Sequence, residues 1–543
     1  MAAGQAPTEP FFSVVTPVYN PPAPVLEAML ASVRNQSFAN WEHCLVDDGS
    51  SEPHVRKILD RASRDDSRVR VFYRESNGGI VAASNDALQR ATGEFVALLD
   101  HDDELDPEAL RLAHETLVAD PEVDYLYTDE DLIDETGRCF NPFLKPDWSP
   151  ERMRTQMYTC HLSIHRRRLA LEVGGFDAAF DGSQDWDLVF KVTEKARKVA
   201  HIRQVLYHWR MVAGSTALEG IDAKPWAFAA GTRAIQAHCD RVGFPATAEH
   251  DDVLFGIYHL RPRLETRPLV SIIIPTAGRP REVWGEQRVL VSHCVQSILA
   301  KSTYDNYELI CVVDHSMDPT VLAGLQAMAG ERLRIVHSTQ PFNFAERINL
   351  GALAASGDHL LLLNDDMEVI TPDWIERLVM YSSFPGIGAV GGKLLLSDGR
   401  IQHVGVMFQQ GWPGHIYRGF AREFGGYRGN TLVAGNLLAV TGACIMSSRE
   451  AFESVGGFST LFPLNYNDVD YCLKLNAEGQ RVVLDPDTVL YHFESSSRAS
   501  DVRPWENDLL HRRWGAWVNP DPYSSPGILP SVDLVPVQAV SAG

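Results

Sequence analysis

Two stretches of this chain run from apolar residues directly into a cluster of acids: residues 98–104 read LLDHDDE, and residues 361–368 read LLLNDDME. The apolar part predicts a buried strand, so the acids should emerge at its carboxyl end, where open α/β sheets place ligands. Carboxylates there suit Mg²⁺ or Mn²⁺ beside a diphosphate. The alternative is a solvated acidic loop that precedes a helix, a place where acids are favourable.

Other landmarks recur in the same order along the chain. The matching pairs lie 264 to 284 residues apart, which is far beyond the period of a solenoid repeat and indicates an internal duplication of a whole domain. The pairs are the strand ends Asp48 and Asp314, the runs Gly174-Gly175-Phe176 and Gly456-Gly457-Phe458, the acids Asp185 and Asp468, and the dipeptides Tyr207-His208 and Tyr491-His492.

The first repeat has alternating strand and helix signals from residue 12 to residue 99. This order predicts a doubly wound, largely parallel sheet. Its ligand edge would be built from Thr16–Asn20, Asp48, Asn77–Gly79 and Asp100–Asp103. The Gly78-Gly79 pair allows close approach of the backbone to an anion, although it matches neither a dinucleotide fingerprint nor a P-loop.

Three of these residues have both a functional and a structural interpretation. Asp48 either accepts hydrogen bonds from a nucleobase or ribose, or closes an Asx turn. Asp185 precedes a predicted helix and acts either as its cap or as a general base. A lone histidine such as His208 is more often structural than a ligand. The recurrence of the landmarks in the second half favours the functional interpretation.

Composition narrows the function. A formal net charge of -22 argues against nucleic-acid binding and against adhesion of the whole surface to anionic lipid. The sequence has no apolar run of about 20 residues and no signal peptide at its start, so we expect a cytoplasmic location. Eight scattered cysteines without a C-x-x-C pair argue against structural zinc and a disulfide framework.

With these motifs in view, both halves resemble family 2 glycosyltransferases of the GT-A fold, arranged in tandem as in bacterial enzymes of O-antigen and other surface-polysaccharide assembly. The resemblance rests on residues 16–20 (TPVYN), 46–50 (VDDGS) and 99–103 (LDHDD), and it covers roughly 11–215 and 268–500. It implies an α/β chain of two Rossmann-like nucleotide-diphospho-sugar transferase domains. The second half departs from the pattern at Asn364 and at His315.

The resemblance also implies roles for individual residues. Asp48 and Asp314 would hold the nucleobase, Asp102 and Asp366 would ligate Mn²⁺ or Mg²⁺, His208 and His492 would approach the metal and diphosphate, and Asp185 and Asp468 would be general bases. The other residues assigned to nucleotide binding are Pro17, Tyr19, Asn77, Gly78 and Asp100 in the first half and Pro275, Asn364 and Asp365 in the second.

The predicted domains are a first glycosyltransferase domain over 11–215, a packed connector of helix and strand over 216–267, a second glycosyltransferase domain over 268–517, and a flexible tail over 518–543. An insertion in the second domain, from Gly391 to Gly429, offers Trp412, His415 and Tyr417 as a surface on which an acceptor sugar could stack. It could equally be a loop packed on its neighbour.

The predicted reaction is inverting transfer of sugars from a nucleotide-diphospho-sugar to a growing glycan or lipid-linked glycan. A lipid-linked acceptor would bring the chain transiently to the inner face of the membrane. The basic runs Arg166–Arg168 and Arg512–Arg513 either help this association or, as charge runs more often do, form ordinary solvated helix faces. One alternative is a nucleotidyltransferase, which would want a basic, glycine-rich phosphate loop that residues 16–20 do not provide. Another is one catalytic domain joined to a domain that only recognises glycan or nucleotide.

Overall fold

The computed structural model of the protein describes residues 9–211, 225–493 and 502–528. These residues form two compact units. Unit 1 comprises the described parts of 1–148, 156–243 and 248–258, and unit 2 those of 149–155, 244–247 and 259–543. No helix among the described residues is long and apolar enough to cross a membrane.

Unit 1 is built on a mixed sheet with helices on both faces. Its strands are β1 (Phe12–Val18), β2 (Trp41–Asp47), β3 (Val69–Tyr73), β4 (Phe95–Leu98), β5 (Glu104–Leu105), β6 (Val123–Ile133), β7 (Cys139–Phe143), β8 (Ser163–Arg166) and β9 (Lys198–Arg210). Its helices are Ala23–Arg34, Pro53–Asp65, Ile80–Arg90, Ala109–Ala119, Arg167–Glu172, Gln184–Thr193 and Pro225–Val242.

The strand order in unit 1 is β3-β2-β1-β4-β8-β6-β9-β5, with β7 beside β6. The strands β1 to β4 are parallel to one another, whereas β8 runs antiparallel to both β4 and β6. Alternate residues of β1 bury into opposite layers, since Val14 packs with the helices Ala23–Arg34 and Ala109–Ala119 and Val15 packs with the helix Ile80–Arg90. This parallel, doubly wound half of the sheet is the one that the sequence predicts.

Unit 2 repeats the arrangement. Its sheet strands are β12 (Val270–Thr276), β15 (Tyr307–Asp314), β16 (Leu333–Ser338), β17 (His359–Leu363), β18 (Met367–Val369), β19 (Ile387–Leu395), β20 (Ile401–His403), β23 (Gly435–Leu437), β24 (Cys444–Ser448) and β25 (Arg481–His492). Two hairpins add β13 (Pro280–Val283) with β14 (Glu286–Val289), and β21 (Val406–Gln409) with β22 (Trp412–His415). Its helices are Pro150–Met153, Leu290–Lys301, Pro319–Ala329, Phe344–Ala354, Trp374–Ser382, Arg449–Ser454, Asn467–Ala477 and Pro504–Trp514.

The strand order of unit 2, β16-β15-β12-β17-β24-β19-β25-β18, matches that of unit 1 position by position. The duplication of landmarks in the sequence is therefore a duplication of topology. An α/β fold with two Rossmann-like sheets is confirmed.

Two stretches outside the sheets differ from the sequence prediction. The helix Pro225–Val242, expected in a connector, belongs to unit 1, where His238 stacks on Phe190 with ring centroids 4.1 Å apart. Between residues 243 and 263 the chain forms β10 (Ala246–His250) and β11 (Tyr258–Pro262). Residues 518–528, expected in a flexible tail, pack instead on unit 2 because Val518 and Ile528 are buried in its core.

A short segment from the middle of the first repeat belongs to unit 2. Residues 149–155 include Glu151, which is fully buried and accepts hydrogen bonds from Arg154 and Arg481 at 3.1–3.2 Å. The Arg154 guanidinium lies over the ring of Phe244, 4.5 Å from its centroid. Burial alone would raise the pKa of Glu151, but the charges of Arg481 and Arg154 hold that pKa below its usual value. Its ionised form therefore contributes to the stability of unit 2 above about pH 4.5, and the contribution is lost as the pH falls.

We expect Glu151→Gln to destabilise unit 2 by about 3 kcal/mol, since it leaves Arg154 and Arg481 beside a neutral group in a buried site. Urea unfolding followed by circular dichroism measures the loss. Glu115→Gln removes an exposed partner of Arg111 and is the control, with an expected change of less than about 1 kcal/mol. Equal midpoints for Glu151→Gln and Glu115→Gln would contradict the role of this ion pair.

Candidate active sites in the two units

The acidic residues of unit 1 gather at the carboxyl edge of its parallel strands. The register pairs Val18 with Asp47 and Val15 with Leu98, so the loops that carry Asp48 and Asp100 leave the sheet on either side of the end of β1. His101 donates from Nδ1 to the carbonyl oxygen of Pro17 in β1 at 3.2 Å and ties the acidic loop to that strand. Tyr19, at the end of β1, is 45% exposed.

Asp48 organises the loop that faces this edge. Its carboxylate accepts hydrogen bonds from the N–H groups of Gly78 at 2.9 Å and Gly79 at 2.8 Å, and it pairs with Arg74 Nε at 2.9 Å. Gly79 has a φ of +86°, a conformation that favours glycine. The exposed Asn77 accepts from the same Gly79 N–H at 2.9 Å. Asp48 is thus a structural anchor for residues 77–79, of which the sequence assigns Asn77 and Gly78 to nucleotide binding.

Unit 2 stabilises the matching carboxylate in a different way. Asp314 forms an ion pair with Arg347, which is buried on the helix Phe344–Ala354 and lies over the ring of Phe342, 4.5 Å from its centroid. The glycine pair of unit 1 has no counterpart at this position. Instead, Asn343 caps the helix by accepting a hydrogen bond from the N–H of Glu346. The sequence interpretation missed Arg347, although a lone arginine among the apolar residues of this helix was a usable signal.

Residues at the end of β9 hold the acidic loop of unit 1 in place. Asp103 is fully buried and accepts hydrogen bonds from the Tyr207 hydroxyl at 2.5 Å and the Arg210 N–H at 2.7 Å. Burial, followed by the charges of Asp102 and Asp100, raises the pKa of Asp103 well above its usual value. Arg210 also donates from Nε to the carbonyl oxygen of Asp102 at 2.9 Å. Asp103 therefore supports the loop, while Asp100 and Asp102 are partly exposed at the edge.

In unit 2 the predicted metal ligands Asp366 and His492 do meet. His492 Nε2 lies 3.1 Å from Asp366 Oδ1 and 3.2 Å from Asn364 Nδ2. Because His492 Nδ1 donates to Gln402 Oε1 at 2.8 Å, Nε2 carries the lone pair and accepts from the Asn364 amide, beside the Asp366 carboxylate. An imidazole oriented by its second nitrogen beside a carboxylate is the usual arrangement of a metal-ligating histidine. Asp365 accepts from the Thr276 hydroxyl at 2.6 Å, next to Pro275 in β12.

His208 does not occupy the position of His492. In unit 1 the register pairs Leu105 with Tyr207 and Glu104 with His208, whereas in unit 2 it pairs Glu368 with Tyr491 and Met367 with His492. The strand position that matches His492 is therefore that of Trp209. A shift of one residue turns a side chain to the other face of a sheet, and His208 instead contacts Asp131 and Cys139. The repeated Tyr-His dipeptide therefore does not place His208 and His492 at equivalent strand positions.

Asp185 and Asp468 occupy equivalent places at the first turn of the helices Gln184–Thr193 and Asn467–Ala477. Each carboxylate accepts a hydrogen bond from the following N–H, that of Trp186 at 2.9 Å and that of Val469 at 2.8 Å. Burial raises the pKa of Asp185. Burial, followed by the charges of Asp185 and Glu130, raises the pKa of the Cys160 thiol well above its usual value.

The insertion of unit 2 is only partly available for stacking. Tyr417 is buried and His415 contacts His403 at 2.9 Å, whereas Trp412 is 44% exposed and stacks on His511 with ring centroids 5.4 Å apart. In unit 1, the basic run is engaged within the protein: Arg166 pairs with Asp124 at 2.6 Å and Arg167 donates to the carbonyl oxygen of Gly93.

Both units thus present a parallel-sheet edge with an acidic loop, a tethered strand-end carboxylate and an acid at a helix start, the arrangement of a nucleotide-sugar transferase fold. The model of glycosyl transferase family 2 matches residues 13–170 and 271–456. The chain belongs to this family.

The relatives cover nearly the whole chain. An uncharacterised protein y4gI of Sinorhizobium fredii is 39% identical over 96% of this chain and 58% of its own length. The O-antigen biosynthesis protein RfbC of Myxococcus xanthus is 38% identical over 97% of this chain and 41% of its own. The chain therefore spans about half the length of these relatives. A crystal structure of S. aureus TarS, residues 1–349, matches 42% of this chain and 64% of that one, with 23% identity and a TM-score of 0.34.

The Asp48 anchor can be tested directly. Asp48→Asn removes the charge that pairs with Arg74 and leaves one acceptor oxygen for two N–H groups, so amide hydrogen exchange over residues 75–80 should accelerate by about 10-fold or more, given the strength of bonds to charged groups. Exchange measured by mass spectrometry reports this. Asp65→Asn, an exposed acid on a neighbouring helix, should leave the segment unchanged. Equal exchange in the two variants would show that Asp48 does not hold the loop.

Proposed function

We propose that both units transfer a sugar from a nucleotide-diphospho-sugar to a hydroxyl group of a glycan acceptor, with inversion at the anomeric carbon. The observation that carries the proposal is the repetition, in two units of equal topology, of an acid at a helix start together with an acidic loop at the sheet edge. The name of the relative RfbC supports a cell-surface glycan as the product. A lipid-linked acceptor would bring the chain to the inner face of the membrane.

In this reaction the acceptor oxygen bonds to the anomeric carbon while the bond from that carbon to the diphosphate oxygen breaks. Asp185 in unit 1 and Asp468 in unit 2 take the proton of the acceptor hydroxyl. The raised pKa of Asp185 suits a base that works near neutral pH. The hydrogen bond from the following N–H fixes each carboxylate, so that one oxygen is oriented before the acceptor arrives.

The residues of the acidic loops fit a divalent cation. Asp102 in unit 1, and Asp366 with His492 in unit 2, would hold Mn²⁺ or Mg²⁺ against the diphosphate, and the ion would offset the charge that develops on the leaving nucleoside diphosphate. Asn364 in the place of Asp100 lowers the negative charge of the second site. Asp48 and Asp314 would position the nucleotide through the loops that they hold, together with Pro17, Tyr19 and Gly78 in unit 1 and Pro275 and Asp365 in unit 2.

Substitution of each proposed general base tests the two proposed active sites one at a time. Asp185→Asn and Asp468→Asn should each lower the transfer rate of their own unit by about 10²- to 10⁴-fold, and the double variant should lose transfer altogether. Release of nucleoside diphosphate and labelled glycan are measured with a panel of nucleotide sugars, with Asp181→Asn and Glu478→Gln as exposed controls. In the Asp468→Asn background, the remaining rate should fall with acid at a pH above the ordinary range of an aspartate.

The outcomes also decide between two active sites and one. If only one substitution matters, the other unit is a recognition domain, and the proposal of two sites fails. Undiminished transfer by the double variant would overturn the assignment of the bases in both units.

Metal dependence is tested at unit 2, where the donor set is best defined. In the Asp185→Asn background, EDTA should abolish transfer and Mn²⁺ or Mg²⁺ should restore it. His492→Gln should raise the metal concentration needed for half-maximal transfer by about 10- to 100-fold, as loss of a well-oriented ligand predicts. His511→Gln, an exposed histidine of the same unit, is the control. Transfer that persists in the presence of EDTA would contradict the proposed metal dependence.

A further inference from the structure

The geometry of Asp131, Cys139 and His208 in unit 1 points to a second metal site, selective for Zn²⁺-like ions and distinct from the acidic loop. The ligand atoms of these residues lie within 4.8 Å of one another. Asp131 Oδ1 is 2.6 Å, and Cys139 Sγ is 3.4 Å, from His208 Nδ1. Strand register does not place His208 at the position of His492, and the proposed transfer reaction assigns it no role.

Three strands position the three ligands. Asp131 lies in β6, Cys139 begins β7 and His208 lies near the end of β9, and the register sets Asp131 directly opposite His208 and Ile133 opposite Cys139. Asp131 is buried, His208 is partly buried and Cys139 is exposed. The backbone hydrogen bonds of the sheet therefore fix the carboxylate and imidazole, and the thiol closes the group from the solvent side.

The donor types favour Zn²⁺ over the ions that suit the acidic loop. Thiolate and imidazole are ligands of Zn²⁺, while Mg²⁺ and Mn²⁺ prefer oxygen. Three protein ligands around Zn²⁺ leave a fourth position open for water or a further ligand. Ion binding displaces the thiol proton to solvent, and the ion then neutralises the charge of the thiolate and of Asp131. A sequence search for C-x-x-C pairs misses such a group because its members are far apart in the chain.

A nucleophilic triad is a poorer interpretation of the same residues. In a Cys-His-Asp triad the acid and the nucleophile contact different nitrogens of the imidazole. Here Asp131 and Cys139 both lie at Nδ1 of His208. Convergence on one nitrogen suits a shared ion placed among the three atoms.

The site would stabilise the support of the acidic loop. His208 is the partner of Glu104 across β5 and β9, and Arg210, two residues further along β9, holds both Asp102 and Asp103. A groove of about 420 Å³ is lined by residues that flank the ligands in the chain, in the β6–β7 hairpin and just after β9: Asp134, Glu135, Arg138, Phe140 and Met211. In the described part of unit 2 the equivalent position does not form such a donor set, since the register places Leu395 opposite Tyr491 there.

Co²⁺ binding to the full-length, chelator-treated protein tests the site, because a cobalt–thiolate bond gives a near-ultraviolet charge-transfer band that oxygen ligands of the acidic loops cannot give. We expect one equivalent of this band, displaced by Zn²⁺. Cys139→Ser should remove the band, and His208→Gln should weaken competitive Zn²⁺ binding by at least about 10- to 100-fold. Glu135→Gln, which removes a charge from the same hairpin without removing a donor, should leave both unchanged.

Alkylation of Cys139 is an independent test of the site that requires no variants. Iodoacetamide should modify the exposed Cys139 in the metal-free protein, and Zn²⁺, but not Mg²⁺, should protect it when the modified cysteine is mapped by mass spectrometry. Absence of the charge-transfer band, its persistence in Cys139→Ser, or alkylation that Zn²⁺ does not slow would each overturn the proposal. None of these results depends on glycosyl transfer.

Discussion

The concentration of carboxylates at one edge of each sheet is the constraint that shapes both units. Acids placed close together in a partly buried setting repel one another and lose hydration, so each needs a partner or must stay neutral. Asp48 is held by Arg74 and two glycine N–H groups, Asp314 by Arg347, and Asp103 by Tyr207 and the Arg210 N–H. Asp102 is left partly exposed at the edge, where a ligand can reach it.

The parallel half of each sheet could be predicted from sequence because its signals are local. β1 and β2 are apolar runs that end in turn residues, and strands buried on both faces have that pattern. The antiparallel half depends on pairing between distant segments, as when β8 inserts between β4 and β6. The placement of residues 149–155 in unit 2 could not be predicted from sequence for the same reason, because the partner of Glu151 is Arg481, which is far away in the chain.

The same difference between local signals and contacts of distant segments applies to the candidate-site residues. Asp48, Asp185 and their counterparts lie at strand ends and helix starts, so their places in the fold could be predicted from motif spacing. The position of His208 depends on the irregular pairing of β9 with β6, where the register shifts between Thr128 and Glu130 of β6. The repeated Tyr-His dipeptide concealed a difference of one residue. Arg347 and Gln402 were missed because their importance lies in contacts with Asp314 and His492, which are far away in sequence.

The two units share a topology but stabilise their acids with different chemistry. In unit 1 the loop is anchored by a hydroxyl and by the backbone and side chain of Arg210, so its outer carboxylates stay partly exposed to a ligand. In unit 2, Asn364 replaces one of those acids, and its amide donates toward His492 Nε2, whose other nitrogen is taken by Gln402. In the proposed reaction, a cation at the second loop would displace that amide and gain an oriented imidazole from His492. Asn364 carries one negative charge fewer than Asp100, so the proposed second site would depend less on charge and more on the directional imidazole ligand than the first.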